Sequence, residues 1–154
     1  MIQLRDGRLC SGGMDKTVRL WNLETGMILR TFEGHTDSVF CLSDMGDGRL
    51  LSGSADKTAR IWNIETGVCE RIIPGHAEAV QYSVLLKDPT QVCTGSWDKT
   101  IRIFNVTSGE TVRVFCGHTD KVVHVTQLSD GRICSSSLDR SIRVWNKDTG
   151  VRRA

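Results

Sequence analysis

Residues 54–63 read SADKTARIWN, and the role of Asp56 within them decides how the whole chain is read. A carboxylate followed by Lys57-Thr58 suits either reaction chemistry or architecture. How often the phrase occurs separates the two. Asp15-Lys16-Thr17-Val18-Arg19-Leu20-Trp21-Asn22 precedes it. Asp98-Lys99-Thr100-Ile101-Arg102-Ile103-Phe104-Asn105 and Asp139-Arg140-Ser141-Ile142-Arg143-Val144-Trp145-Asn146 follow. The aspartates lie 41, 42 and 41 residues apart, and Gly34-His35, Gly75-His76 and Gly117-His118 recur at 41 and 42. A catalytic carboxylate is needed once, whereas four copies in phase describe a repeated structural unit.

The local signals within each unit are those of short strands. Thr58-Ala59-Arg60-Ile61-Trp62 and Val122-Val123-His124-Val125-Thr126 are rich in β-branched and aromatic residues and are bounded by turn formers. Asp6-Gly7, Asp47-Gly48 and Asp130-Gly131 mark one hairpin, because glycine accepts a positive φ without steric cost. Glu24-Thr25-Gly26, Glu65-Thr66-Gly67, Thr107-Ser108-Gly109 and Asp148-Thr149-Gly150 mark another. Four antiparallel strands per unit follow, and no stretch carries a helical period.

A Gly-His, a Ser52-Gly53-Ser54-x-Asp56 and a closing Trp62-Asn63 at a period of about 41 resemble the WD40 repeat. The resemblance spans the chain. Asn22, Asn63, Asn105 and Asn146 stand where that family has Asp, and Phe104 replaces one Trp. It implies an all-β propeller of about four blades, each of four antiparallel strands, with the first and last blades incomplete. The expected boundaries are an incomplete blade over 1–33 and repeats over 34–74, 75–116 and 117–154.

The resemblance also implies a hydrogen-bond chain of His, Ser or Thr, Asp and Trp inside each blade. The matching residues are His35, Ser52, Asp56 and Trp62; His76, Thr94 and Asp98 with Phe104; and His118, Ser135, Asp139 and Trp145. The first blade has Ser11, Asp15 and Trp21 without an upstream His. A hydrolase built on His35, Ser52 and Asp56 is disfavoured, since there is no Gly-x-Ser-x-Gly elbow and the trio recurs. Loss of the indole donor at Phe104 is expected to loosen the third blade. Arg19, Arg60, Arg102 and Arg143 each share a strand face with the aromatic two residues on. They read as stems packed between blades with paired heads; a phosphate-binding stripe is the other reading, which the small positive surplus disfavours.

Partners of this family dock most often on one face, which here comprises two loop sets. The first supplies Ser38, Phe40, Ala79, Gln81, Lys121 and Val123. The second supplies Met14, Ala55, Trp97 and Leu138, each directly before its motif Asp. Apolar side chains at Met14, Phe40, Trp97, Val123 and Leu138 either form a hot spot or cover one another. None of the ten is Arg, which argues against a phosphorylated ligand. The expected partner is a protein or peptide with apolar side chains.

Composition narrows the class further. Twenty basic and 18 acidic residues leave +2 without charged blocks, which argues against nucleic-acid or membrane partners. No apolar run approaches a transmembrane span, and Met1-Ile2-Gln3-Leu4-Arg5 does not resemble a signal peptide. The six cysteines form no Cys-x-x-Cys clip, and Cys10, Cys93 and Cys134 each precede a Ser or Thr. They are expected to be small buried hydrophobes in a reducing compartment, the cytoplasm or the nucleus, with no metal or cofactor. Function is expected to be that of a non-catalytic scaffold. The alternative is part of a larger WD40 protein that acts as a ubiquitin-ligase substrate receptor or carries an enzyme elsewhere. Met1 falls in mid-strand and the last outer strand stops short. Three arrangements fit: part of a larger propeller, a homodimer completing an eight-bladed ring, or a strained four-bladed ring.

Overall fold

A computed structural model describes residues 1–150 and 152–153. Strands β1 (Ile2–Gln3), β2 (Leu9–Gly12), β3 (Val18–Trp21) and β4 (Ile28–Phe32) form the first sheet. The second holds β5 (Val39–Asp44), β6 (Arg49–Ser54), β7 (Ala59–Asn63) and β8 (Cys69–Ile73). The third holds β9 (Val80–Leu85), β10 (Gln91–Ser96), β11 (Ile101–Asn105) and β12 (Thr111–Phe115). The fourth holds β13 (Val122–Gln127), β14 (Ile133–Ser137), β15 (Ile142–Trp145) and β16 (Arg152–Arg153). Every pairing is antiparallel between chain neighbours, so each sheet is a simple meander. Among the described residues there is no helix. Both terminal strands, β1 and β16, are two residues long.

Each hairpin sits where its turn chemistry requires. At Asp47-Gly48, Gly48 takes φ 84° while the Asp47 carboxylate accepts the Arg49 amide and guanidinium. At the other turn the Asn63 side-chain oxygen accepts the amides of Glu65 and Thr66, and the Asn63 carbonyl accepts from Gly67. Asn and Asp are equivalent acceptors for this purpose, which accounts for the Asn that closes every repeat.

The sheets pack face to face in series. Cys10, Val18, Leu20 and Phe32 of the first meet Leu42, Leu50 and Trp62 of the second. Leu51, Ala59, Ile61 and Ile73 of the second meet Val92 and Phe104 of the third. Cys93, Ile101, Ile103 and Phe115 of the third meet Val125, Ile133 and Trp145 of the fourth. The first strands of adjacent sheets also touch: the Ser43 hydroxyl donates to the Ser83 carbonyl at 2.8 Å, and the rings of Tyr82 and His124 lie 4.1 Å apart.

The fourth sheet breaks this pattern on its outward face. Val18, Ala59 and Ile101 are at most 2% exposed, yet Ile142, at the same place in the repeat, is 73% exposed. Cys134 and Val144 are half-buried where Cys10, Cys93, Leu20 and Ile103 are buried. Cys134 therefore departs from the expected burial because no fifth sheet covers it. A four-bladed closed ring would have buried Ile142 against the first sheet, so the chain does not close on itself.

The repeat thus contains its own control experiment. Ile101→Ala should lower the unfolding free energy by about 2–5 kcal/mol, the cost of emptying a packed site. Ile142→Ala should change it by about 0.5 kcal/mol or less. Urea unfolding of both variants tests the contrast.

Candidate partner-binding face

The blade tops are held by a buried polar chain. In the second sheet the Trp62 indole N–H donates to Ser52 Oγ at 2.8 Å, and Ser52 Oγ lies 2.7 Å from His35 Nε2. His35 Nδ1 is 2.6 Å from Asp56 Oδ2. All four are satisfied when the imidazole is neutral, with Nδ1–H donating to the carboxylate and Nε2 accepting the serine proton. Asp56 Oδ2 also accepts the Thr36 amide, and Oδ1 accepts the amide and hydroxyl of Thr58. One carboxylate therefore ties the loop after Gly34-His35 to the hairpin between β6 and β7.

The fourth sheet repeats the chain through Trp145, Ser135, His118 and Asp139, at 2.9, 2.8 and 2.7 Å in turn. In the third, His76 bridges Thr94 and Asp98 at 2.8 Å each. Phe104 brings no donor to Thr94 but is 1% exposed, so the ring keeps the packing and forgoes the bond. The first sheet has the Trp21–Ser11 bond at 2.8 Å, while its Asp15 is exposed and pairs with Arg19 at 2.5 Å.

This arrangement has the connectivity of a catalytic triad without its access. Ser52 is fully buried, and Trp62, itself 1% exposed, donates to its oxygen, so no substrate carbonyl can reach the hydroxyl. Arg60, Arg102 and Arg143 pack as stems against Gly34, Gly75 and Gly117, whereas Arg19 lies at the surface with Asp15. Arg60 lies 5.9 Å from the Trp62 ring, and a Cβ on Gly34 would fall 2.6 Å from its Nη1; the φ of 147° at Gly34 favours glycine before the histidine. Arg143 lies 3.6 Å from Asp139. Nε of Arg60 and of Arg102 is buried without a partner.

Above this chain, three inner strands each carry a bulge. Pairing slips between Val39 and Cys41, between Val80 and Tyr82, and between Val122 and His124. Phe40, Gln81 and Val123 are the extra residues, freed from strict alternation and re-aimed by the bulge. Phe40 is 38% exposed and stacks on Trp97 with ring centroids 5.5 Å apart. The Trp97 indole donates to Gln81 Oε1 at 2.8 Å, and Lys121 Nζ sits 3.8 Å from the Trp97 ring centroid. Trp97 of the third sheet thus touches residues of the second, third and fourth.

The other expected face residues divide. Met14 and Leu138 are 86% and 55% exposed. Ser38, Ala55 and Val123 are half-buried. Ala79 is buried and meets the face only through its carbonyl, which accepts the Trp97 amide at 3.0 Å. Its side chain therefore cannot touch a partner. The Ser38 and Lys121 carbonyls accept the amides of Ala55 and Leu138 in the same way. Phe40 and Trp97 cover one another, whereas Met14 and Leu138 stand bare.

Sequence reasoning missed one set on this face. Lys16, Lys57, Lys99 and Arg140, each directly after its motif Asp, are exposed and have φ of 65–71°. The signal was available as a basic residue recurring at one place in the repeat.

The buried chain makes stability depend on pH. Burial pushes the Asp56 carboxyl up, but the bonds from Thr58, His35 and Thr36 outweigh it and hold it at about 2, below its ordinary 3.8. Asp98 and Asp139 are lowered by the same pattern of bonds. Burial, partly opposed by Asp56, lowers His35 from 6.5. In each group the folded value lies below the unfolded one, so the unfolded chain binds more protons and acid destabilises the fold. The unfolding free energy should be flat between about pH 7 and 8 and fall as pH rises through 9, because burial raises the thiols of Cys10, Cys41 and Cys93 above that value. It should decline as pH falls through 6.5 and decline again from 3.8 towards 2. Urea titrations across that range read this directly.

Comparison with known proteins agrees with this geometry. The family model described as WD domain, G-beta repeat matches residues 4–22, 26–63, 67–105 and 109–146. Each of the last three spans runs from the outer strand of one sheet to the Trp- or Phe-bearing strand of the next. The solved WD40 β-propeller domain of Doa1 superposes with a TM-score of 0.85 at 27% identity, covering 97% of this chain and 50% of that one. Mitochondrial division protein 1 of Eremothecium gossypii is 49% identical over 41 residues, 27% of this chain and 6% of that protein. The CCR4-associated factor 4 homolog of Vanderwaltozyma polyspora is 42% identical over a stretch of the same length and coverage. The chain thus spans about half of the solved propeller, and its matches cover about a twentieth of these curated relatives. Four matched repeats and four meander sheets place it plainly: the chain belongs to the WD40 repeat family.

Proposed function

We propose that the chain is a non-catalytic scaffold whose blade tops hold an extended peptide or loop of a partner protein through apolar side chains. WD40 propeller domains are in general protein-interaction scaffolds. The observation that carries the finer reading is the Phe40–Trp97 stack, which crosses from the second sheet to the third with Lys121 of the fourth against it. An aromatic pair held by a hydrogen bond and a cation presents rigid apolar area at low entropic cost, as interface anchors do. The bare Met14 and Leu138 extend that area over the first and fourth sheets. The thiols are unpaired, with Cys10, Cys41 and Cys93 buried, Cys69 and Cys134 half-buried and Cys116 exposed. Free thiols support a reducing compartment, and we assign the chain to the cytoplasm or nucleus.

A second association is supported by the uncovered face of the fourth sheet. Ile142, Val144 and Cys134 there match residues that bury the face of another sheet, and Trp21 and Leu9 of the first sheet are half-buried where Trp62 and Leu50 are buried. A second copy could join these two faces into an eight-bladed ring. Light scattering should then give twice the chain mass, reverting to one on Ile142→Lys; a monomeric wild-type chain would end this reading.

The face itself is tested with peptides selected on the chain from a random display library. Their affinity should fall at least about tenfold, roughly 1.4 kcal/mol, for both Phe40→Ala and Trp97→Ala. Unchanged affinity in both variants would remove the stack from the site. Ser52→Ala should abolish no turnover, because none is expected.

A further inference from the structure

We infer that the blade-top face selects a partner segment whose apolar anchor is flanked by acidic side chains, the acids being read by Lys16, Lys57, Lys99 and Arg140. The inference rests on the proposed face and adds the charge of its ligand.

The argument starts from one turn used at both ends of the sheets. At the ends away from this face, three-residue loops join Leu4 to Arg8, Met45 to Arg49 and Leu128 to Arg132. Their last residues, Gly7, Gly48 and Gly131, have φ of 84–90°. At the blade tops the same loop joins Gly13 to Thr17, Ser54 to Thr58, Ser96 to Thr100 and Ser137 to Ser141. The equivalent left-handed positions are filled by Lys16, Lys57, Lys99 and Arg140, with φ of 70, 71, 71 and 65°.

Glycine meets this backbone requirement without a Cβ penalty and is used for it elsewhere in the same sheets. Turn geometry therefore does not ask for a cation at the tops. Among the described residues these four are the non-glycine residues of positive φ, and every one carries positive charge. Strain accepted in favour of a particular side chain is a mark of function rather than of folding.

Their surroundings leave the charges available. All four are exposed. Lys57 has Glu78 at 3.6 Å, an exposed and screened pair. Lys121 adds a fifth cation directly on Trp97. Four cations, one in each blade-top turn, thus share the face with the apolar strip that Phe40 and Trp97 anchor. Discrete carboxylates on either side of an apolar side chain complement that layout. A continuous phosphate backbone fits less well, because its evenly spaced charges cannot avoid the exposed Asp37 and Glu78 on the same face, whereas separate carboxylates can lie opposite the cations.

The test compares two fluorescein-labelled synthetic peptides with one Leu-Trp-Leu core, flanked in one by glutamates and in the other by glutamines. Binding to the full chain is read by anisotropy. The acidic peptide should bind about tenfold or more tightly at low ionic strength, and the gap should close as salt is raised. It should also close when Lys16, Lys57, Lys99 and Arg140 are all replaced by Gln, and equally when all are replaced by Gly, which relieves the backbone. Equal affinity of the two peptides, an acidic preference that survives both replacements, or no binding of the acidic peptide at millimolar concentration would overturn the inference. So would tighter binding of a labelled oligothymidylate. If both peptides bind alike and both are lost on Phe40→Ala, the charge inference fails while the apolar face stands. If the acidic preference follows the four cations but Phe40→Ala changes nothing, the apolar reading fails instead.

Discussion

A carboxylate 5% exposed at its side chain, as at Asp56, must be fully hydrogen-bonded or the sheet it sits in would not form. Four donors converge on it, from the Thr58 amide and hydroxyl, the Thr36 amide and the His35 imidazole. Charge-assisted bonds of this kind contribute about 1.5–3 kcal/mol each at most. Their structural effect exceeds their energy. The loop that enters β5 and the hairpin that leaves β6 are fixed to the same two oxygen atoms, so the two loop sets on the blade tops cannot move independently. Asp98 and Asp139 do the same in the third and fourth sheets. Asp15 in the first sheet meets Thr17 and Arg19 at the surface instead.

That constraint explains why the face is a defined surface and not a set of mobile loops. The bulges in β5, β9 and β13 send Phe40, Gln81 and Val123 out of the alternating pattern just where the anchored loops meet. Trp97 then lies among neighbours whose backbones are already fixed. Its indole is oriented by Gln81 and its ring is flanked by Phe40 and Lys121. Preorganisation of this sort lowers the entropic cost of binding, which is the usual barrier to a small interface.

Much of this was legible in the repeat itself. The period of 41–42 residues, the Asp-Gly turns and the Gly-His signals determine sheet count, strand order and the buried polar chain, because each is set by local chemistry. What escaped depends on relations between repeats or on backbone irregularity. Ala79 is buried although Ser38 and Lys121, which make the same carbonyl bond, are half-buried, and the half-exposure of Cys134 follows from a face without a neighbour; neither is encoded nearby. A bulge adds one residue without a sequence signature, so strict alternation says nothing of Phe40 stacking on a ring 57 residues further along. The left-handed lysines were hidden for a different reason. A glycine marks such a turn openly, whereas a lysine in the same conformation looks like ordinary surface.

The serial packing of the sheets also shapes how the molecule opens. The second and third sheets are sandwiched on both faces, while the first and fourth are each covered on one. Repeat assemblies of this kind lose structure from their margins inward. Amide protons in β6 and β10 should therefore outlast those in β2 and β14 in deuterated solvent. The stacked rings, rooted in the second and third sheets, sit above the slowest-opening half of the protein, so a ligand seated there would be borne by its most persistent core.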